Sequence, residues 1–129
     1  MSSLSILIHQ LKSKLCPVQT LFQYHGNDWK KNVMTISTCP FPNVLWKSEH
    51  MELVLIGWKE QQTLYHYSGF GAVHSLILQG ELSHQVSYPT YKEVGMVPQT
   101  YSLSPFGIWK IHANKPSVSL CLYQYAHEK

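Results

Sequence analysis

Histidine and cysteine are the side chains of this sequence best suited to chemistry, because imidazole and thiolate are common ligands of iron and zinc in proteins. The chain of 129 residues has eight His and three Cys. Carboxylates offer less: Asp28 is the only Asp and falls at a predicted helix cap, while Glu49 and Glu52 flank a predicted turn. No arrangement of Ser, His and Asp typical of nucleophilic catalysis can be built. The search for a functional site therefore centres on the histidines and cysteines.

Charge and cysteine content exclude several classes of protein. All ten cationic side chains are Lys; they are scattered and lack the guanidinium fork that recognises phosphate or guanine, so nucleic-acid binding is not expected. No apolar run approaches the roughly 20 residues of a membrane span, and no signal peptide is expected at the N-terminus. Cys16, Cys39 and Cys121 are odd in number and lack C-x-x-C spacing, which predicts a reducing, cytoplasmic location.

The elements that must position any site are predicted from the spacing of apolar and turn residues. An apolar stripe predicts a helix over 3–15, Pro17 begins a second helix to residue 24, and Asp28 caps a further turn over 29–32. Short β-rich runs separated by turn residues then predict nine strands, near 33–38, 43–47, 51–58, 62–67, 71–79, 81–87, 99–104, 107–112 and 117–125. We therefore expect a single domain over 1–129, with a helical cap (1–32) on a β-barrel (33–127).

Several segments, in order and spacing, resemble the cysteine dioxygenase family of the cupin superfamily. The strand Leu53-Val-Leu-Ile-Gly-Trp58 and the hairpin Leu78-Gln-Gly-Glu-Leu82 are similar to two of its motifs. The stretches 102–111 (SLSPFGIWKI) and 116–123 (PSVSLCLY) are similar to two more, in which the family has G-x-H-R-V and P-A-V-S-L-H-L-Y. The resemblance covers nearly the whole chain. It implies a mainly β fold, the cupin-type double-stranded β-helix or jelly-roll barrel, with a short N-terminal helical cap.

The resemblance also implies where the family's iron ligands would fall. In that family three imidazoles hold Fe(II); the corresponding positions here are His66, Ser68 and Cys121, so one of the three is still His. His74 would make a rearranged set with His66 and Cys121, although it follows the inward position of Val73 and strand alternation turns it outward. The alternatives are a hydrogen-bonded imidazole for His66, a turn residue for Ser68, a small buried hydrophobe for Cys121 and a solvent-facing residue for His74.

The expected pocket follows from the same correspondence and from nearby aromatic residues; its members are Trp58, Tyr65, Ser68, Val73 and Tyr123. The family's substrate-binding Arg has no counterpart, because the matching stretch is Phe41-Pro-Asn-Val44. We therefore expect a cupin that has lost or altered its iron site and acts as a small-molecule-binding or structural module. The alternative is an active Fe(II) thiol dioxygenase that converts a small thiol such as cysteine to its sulfinic acid. The partners compatible with either are a small-molecule ligand and a second copy of the chain.

Overall fold

The computed structural model describes residues 3–13, 16–32, 41–67, 71–88, 95–103 and 108–125, with the backbone alone at residues 32, 41–42, 66–67, 85–88 and 108. Its elements run in the predicted order, with helices first and strands after them. The predicted strand near 33–38 lies outside the described residues. No helix in the described ranges has the length and apolar character needed to cross a membrane.

Two short helices and a 3-10 turn form the N-terminal part. Helix α1 (Leu4–Lys12) begins at Ser3, whose Oγ accepts from the Ile6 amide at 3.1 Å. Helix α2 (Pro17–Phe22) starts with proline, which lacks the amide hydrogen that a first helical turn leaves unused. In the 3-10 turn Asp28–Asn32, Asp28 Oδ2 accepts from the Leu4 amide at 2.9 Å and Oδ1 accepts from Tyr24 OH at 2.7 Å. The single aspartate therefore joins the turn to the start of α1 and to the end of α2.

Among the described residues, nine strands form two antiparallel sheets. The five-stranded sheet has the order β1-β2-β9-β4-β7 and the four-stranded sheet has the order β3-β8-β5-β6. The strands are β1 (Phe41–Lys47), β2 (Met51–Trp58), β3 (Thr63–Tyr67), β4 (Gly71–Gln79), β5 (Leu82–Tyr88), β6 (Gly95–Met96), β7 (Thr100–Leu103), β8 (Ile108–Ala113) and β9 (Ser117–Tyr125). The short strand β6 was not predicted, because two exposed residues carry no alternating pattern.

The five-stranded sheet is buried on both faces. Its outer face packs against the helices, and its inner face packs against the four-stranded sheet. The outer core includes Leu7 and Leu11 of α1 with Leu53, Leu55, Leu76, Leu120 and Leu122. The inner core includes Val54, Ile56, Val73, Ile77, Cys121 and, from the four-stranded sheet, Leu82, Ile111 and Ala113. This two-sided burial explains why β2 and β9 have continuous apolar runs instead of strict alternation.

The connection between β4 and β5 depends on Gly80. Its φ of +93° is a conformation that side chains other than glycine rarely adopt. A Cβ at this position would overlap Ser117 Oγ and the carbonyl oxygen of Pro116, which come from the adjacent β8–β9 connection. The Leu78-Gln-Gly-Glu-Leu82 segment is thus a tight turn that brings the two sheets together at this end of the molecule.

Candidate functional site on the inner face

Cys121 lies in the middle of β9, on the inner face, with 1% of its surface exposed. Its Sγ is 3.1 Å from Ser75 Oγ and 3.7 Å from Ser119 Oγ. Burial raises the pKa of the thiol, and the hydrogen bonds from the two serines offset this only in part. The sulfur is therefore a protonated thiol among hydroxyl and apolar groups. Its described polar neighbours are the two serine hydroxyls, and in the described residues no group of His, Asp or Glu joins it to form a metal-binding set.

Trp58 extends this polar chain, because its Nε1 donates to Ser119 Oγ at 3.1 Å. The side chain is buried in the inner core, as the pocket prediction requires. However, Trp58 pairs with Ser117 whereas Tyr123 lies six residues further along the same strand β9, opposite Glu52. At about 3.3 Å per residue the two predicted pocket residues are roughly 20 Å apart along the sheet. Trp58 and Tyr123 therefore lie towards opposite ends of the inner face.

His74 lies on the outer face of the five-stranded sheet, opposite Leu122 and Ser102. Ser102 Oγ donates to Nδ1 across 2.7 Å, and Nε2 donates to Gln124 Oε1 across 2.9 Å, the tautomer required by the amide oxygen. Both ring nitrogens are thus hydrogen-bonded on the face opposite to Cys121. His74 pairs with Leu122, which is the residue after Cys121 on β9. Because adjacent residues of a strand point to opposite faces, His74 and Cys121 lie on opposite faces of the sheet.

The remaining predicted ligand positions are described only in part. The backbone of His66 pairs with Trp109 in the β3–β8 ladder, and its side chain is outside the described set. Ser68 lies outside the described residues altogether. The approach of His66 to Cys121 stays a prediction. Where side chains are described, no group of three or more His, Cys, Asp or Glu residues could hold a metal ion. The described donors therefore do not fit the iron of a thiol dioxygenase.

The other pocket residues divide between the two faces of their sheets. Val73 is buried in the inner core and Tyr123 packs against it. Burial raises the pKa of the Tyr123 phenol, with Cys121 as the second cause. Tyr65 is 63% exposed, because the alternation of β3 turns its neighbour Leu64 towards the inner core and Tyr65 away from it. Tyr65 therefore does not line the interior.

Two inner-face residues were missed as a pair by the sequence prediction: His84 of β5 and Trp109 of β8. His84 pairs with Ile111, and Trp109 packs against the inner core. Their ring centroids are 5.8 Å apart with an interplanar angle of 58°. Burial lowers the pKa of His84, so its imidazole is neutral near pH 7. Strand alternation could have predicted that both residues face inward. His84 is two residues from buried Leu82, and Trp109 is two residues from buried Ile111.

The polar atoms of this pair are the unusual feature. Within the described part of the chain, His84 Nδ1 and Trp109 Nε1 are buried side-chain atoms without a hydrogen-bond partner. Buried polar groups in folded proteins nearly always have a partner, and leaving one without costs about 1–3 kcal/mol. The inner face thus has one fully bonded polar chain, from Trp58 to Ser75, and one site whose bonding is incomplete.

Comparison with solved structures identifies the architecture. A cupin superfamily protein from Desulfitobacterium hafniense superposes with a TM-score of 0.65 over 80% of this chain and 93% of that chain, at 15% identity. A conserved protein with a double-stranded β-helix domain from Klebsiella pneumoniae gives a TM-score of 0.66 over 83% and 89%, at 10% identity. This chain has the cupin fold. An RmlC-like cupin from Desulfovibrio desulfuricans is also similar, with a TM-score of 0.63 over 79% and 97%, at 15% identity.

The cupin fold is established by shape and not by sequence. No family model matches the chain, and no curated protein matches it. At 10–15% identity these structural similarities are evidence for the fold alone. The predicted double-stranded β-helix is therefore confirmed, whereas the narrower resemblance to cysteine dioxygenases stays a prediction. Function must be argued from the residues of the inner face.

Proposed function

We propose that this cupin-fold chain is a binding module that holds a small molecule on its inner face, beside His84 and Trp109, and that it is not an iron-dependent thiol dioxygenase. The observation that carries the proposal is the pair of buried, unpartnered nitrogens on adjacent rings. Each would regain a hydrogen bond when a ligand supplies the missing group. Each completed bond would contribute about 1 kcal/mol to ligand binding.

The chemistry of the chain argues against thiol oxidation. The sequence has no Arg, so a substrate carboxylate lacks its bidentate partner. Cys121 stands where the resemblance would require an imidazole ligand, and its described polar neighbours are the hydroxyls of Ser75 and Ser119. Thiol oxidation would need the protein to position both the metal and the substrate. These features therefore support a binding function over catalysis.

The test uses the four tryptophan indole N–H groups as separate reporters in a nitrogen–proton NMR spectrum, assigned by Trp→Phe variants. A fragment set with cationic, anionic and neutral members is titrated into the purified full chain. We expect some fragments to shift the Trp109 signal while the Trp58 signal, already bonded to Ser119, stays in place. The matched chemical test is oxygen uptake with cysteine after addition of Fe(II), for which we expect none.

Two results would contradict the proposal. One is a fragment set in which no member of any charge shifts the Trp109 indole. The other is near-stoichiometric bound iron together with oxygen uptake that is lost in His66→Ala, which would support the dioxygenase alternative.

A further inference from the structure

The environment of the His84–Trp109 pair limits the charge of a ligand. No charged side chain is buried in the described part of the chain, where the buried polar residues are Ser75, Ser83, Ser117 and Ser119. The neutral state of His84 adds no cation. A charged ligand buried here would have no oppositely charged partner among these groups, and burial of an unpaired charge is strongly unfavourable.

The two unpartnered atoms also define the polar group of the ligand. Trp109 Nε1 can only donate, so the ligand atom opposite it must be an acceptor such as a carbonyl oxygen. A neutral imidazole nitrogen can donate or accept, so His84 Nδ1 accepts either kind of group. The ring centroids are 5.8 Å apart, a distance that one small ligand can span. A carboxamide, which has one acceptor and one donor, satisfies both.

We infer that the inner-face site takes an uncharged molecule with a hydrogen-bond acceptor directed at Trp109 Nε1 and a polar neighbour at His84 Nδ1. This inference rests on the proposed binding function and adds the class of ligand. It disfavours free amino acids, carboxylates and amines as the bound species. Small amides and lactams are the chemical class that fits.

The experiment compares four probes of nearly equal size: benzamide, benzoate, benzamidine and toluene. At pH 7.5 benzamide is neutral, benzoate is an anion and benzamidine is a cation. Toluene is apolar and has no hydrogen-bond acceptor. Dissociation constants are measured from the Trp109 indole shift for the wild-type chain. We expect benzamide to bind at least tenfold more tightly than benzoate and benzamidine, because each ion would be buried unpaired, and several-fold more tightly than toluene.

Substitutions separate the contribution of the hydrogen bond from that of packing. In the variant that lacks the Trp109 indole, binding is measured from ligand-induced shifts of other inner-face signals. Trp109→Phe keeps an aromatic ring and loses the donor, so we expect about a 3–10-fold weaker affinity for benzamide and little change for toluene. Trp46→Phe is the matched control, because Trp46 packs against the outer core. It should leave both affinities unchanged.

The outcomes distinguish this inference from the proposed function. If benzoate or benzamidine binds as tightly as benzamide, the uncharged class is wrong while the binding function stands. If Trp109→Phe weakens the binding of toluene as much as that of benzamide, the inferred acceptor at Trp109 Nε1 is wrong. If all four probes fail where other fragments shift the indole signal, the inferred class of ligand is wrong and the binding function stands. Failure of every fragment overturns the binding function as well.

Discussion

Thiol reactivity gives the most direct measure of how closed the inner face is. Cys121 has 1% of its surface exposed and a pKa raised by burial, whereas Cys16 is exposed at the start of α2. The two thiols in one chain therefore provide a buried site and an internal reference. We expect iodoacetamide at pH 8 to alkylate Cys16 rapidly and Cys121 only when the molecule opens.

The magnitude follows from the opening equilibrium. Unfolding free energies of ordinary domains begin near 5 kcal/mol, which makes the open fraction about 1 in 5,000. If Cys121 reacts only from the open state, its alkylation is slower than that of Cys16 by roughly that factor or more. Urea should accelerate the Cys121 reaction exponentially, with a slope set by the surface exposed on unfolding, and should leave the Cys16 rate nearly constant.

The assay is peptide-resolved mass spectrometry of the alkylated chain over time, with Cys16→Ser as a control that the exposed adduct does not itself open the structure. A Cys121 rate within tenfold of the Cys16 rate in native buffer, independent of urea, would refute the reasoning. It would mean that the thiol is accessible from solvent and that the inner face is open around it.

Two further predictions concern stability. Gly80→Ala should lower the free energy of unfolding in urea by about 2 kcal/mol or more, because of the positive φ and the overlap with Pro116. The control is Gly95→Ala, where a Cβ meets nothing within 4 Å, and it should be near neutral. Equal losses of stability in the two variants would contradict this explanation. Asp28→Asn should cost about 1–2 kcal/mol at pH 7. Burial opposes ionisation of Asp28, yet bonds from Tyr24 and the first amide of α1 lower its pKa. The wild type therefore loses this stability as the pH falls from about 4 through the lowered pKa of Asp28 in the folded state. An Asp28→Asn variant with the same acid sensitivity would show that the carboxylate is not responsible.

Local patterns were sufficient for most of the secondary structure. The predicted strands 51–58, 71–79 and 117–125 agree with β2, β4 and β9, because each is an apolar run bounded by turn residues. The helices end earlier than predicted, at residues 12 and 22 in the described ranges, since apolar spacing does not specify where a helix stops. The outward position of His74 also follows from alternation alone.

The candidate site was less accessible to this reasoning. Strand alternation could have assigned His84 and Trp109 to the inner face, since each is two residues from a buried neighbour. It could not show that their rings are adjacent, because β5 and β8 are separated by more than 20 residues in sequence. The spacing of Trp58 and Tyr123 along β9, and the bonding of Cys121 to Ser75, likewise depend on strand pairing.

By itself, the sequence determined the helical start, most strand bounds and the absence of arginine, because these depend on periodicity, turn residues and composition. The double-stranded β-helix was implied by the resemblance of several segments to one family. Tertiary structure alone decided which polar atoms find partners. Hydrogen bonds between distant strands depend on register and on side-chain positions, which no local pattern encodes. That is why the Cys121 thiol has two hydroxyl partners, Ser75 and Ser119, while in the described part of the chain the nitrogens of His84 and Trp109 lack a partner.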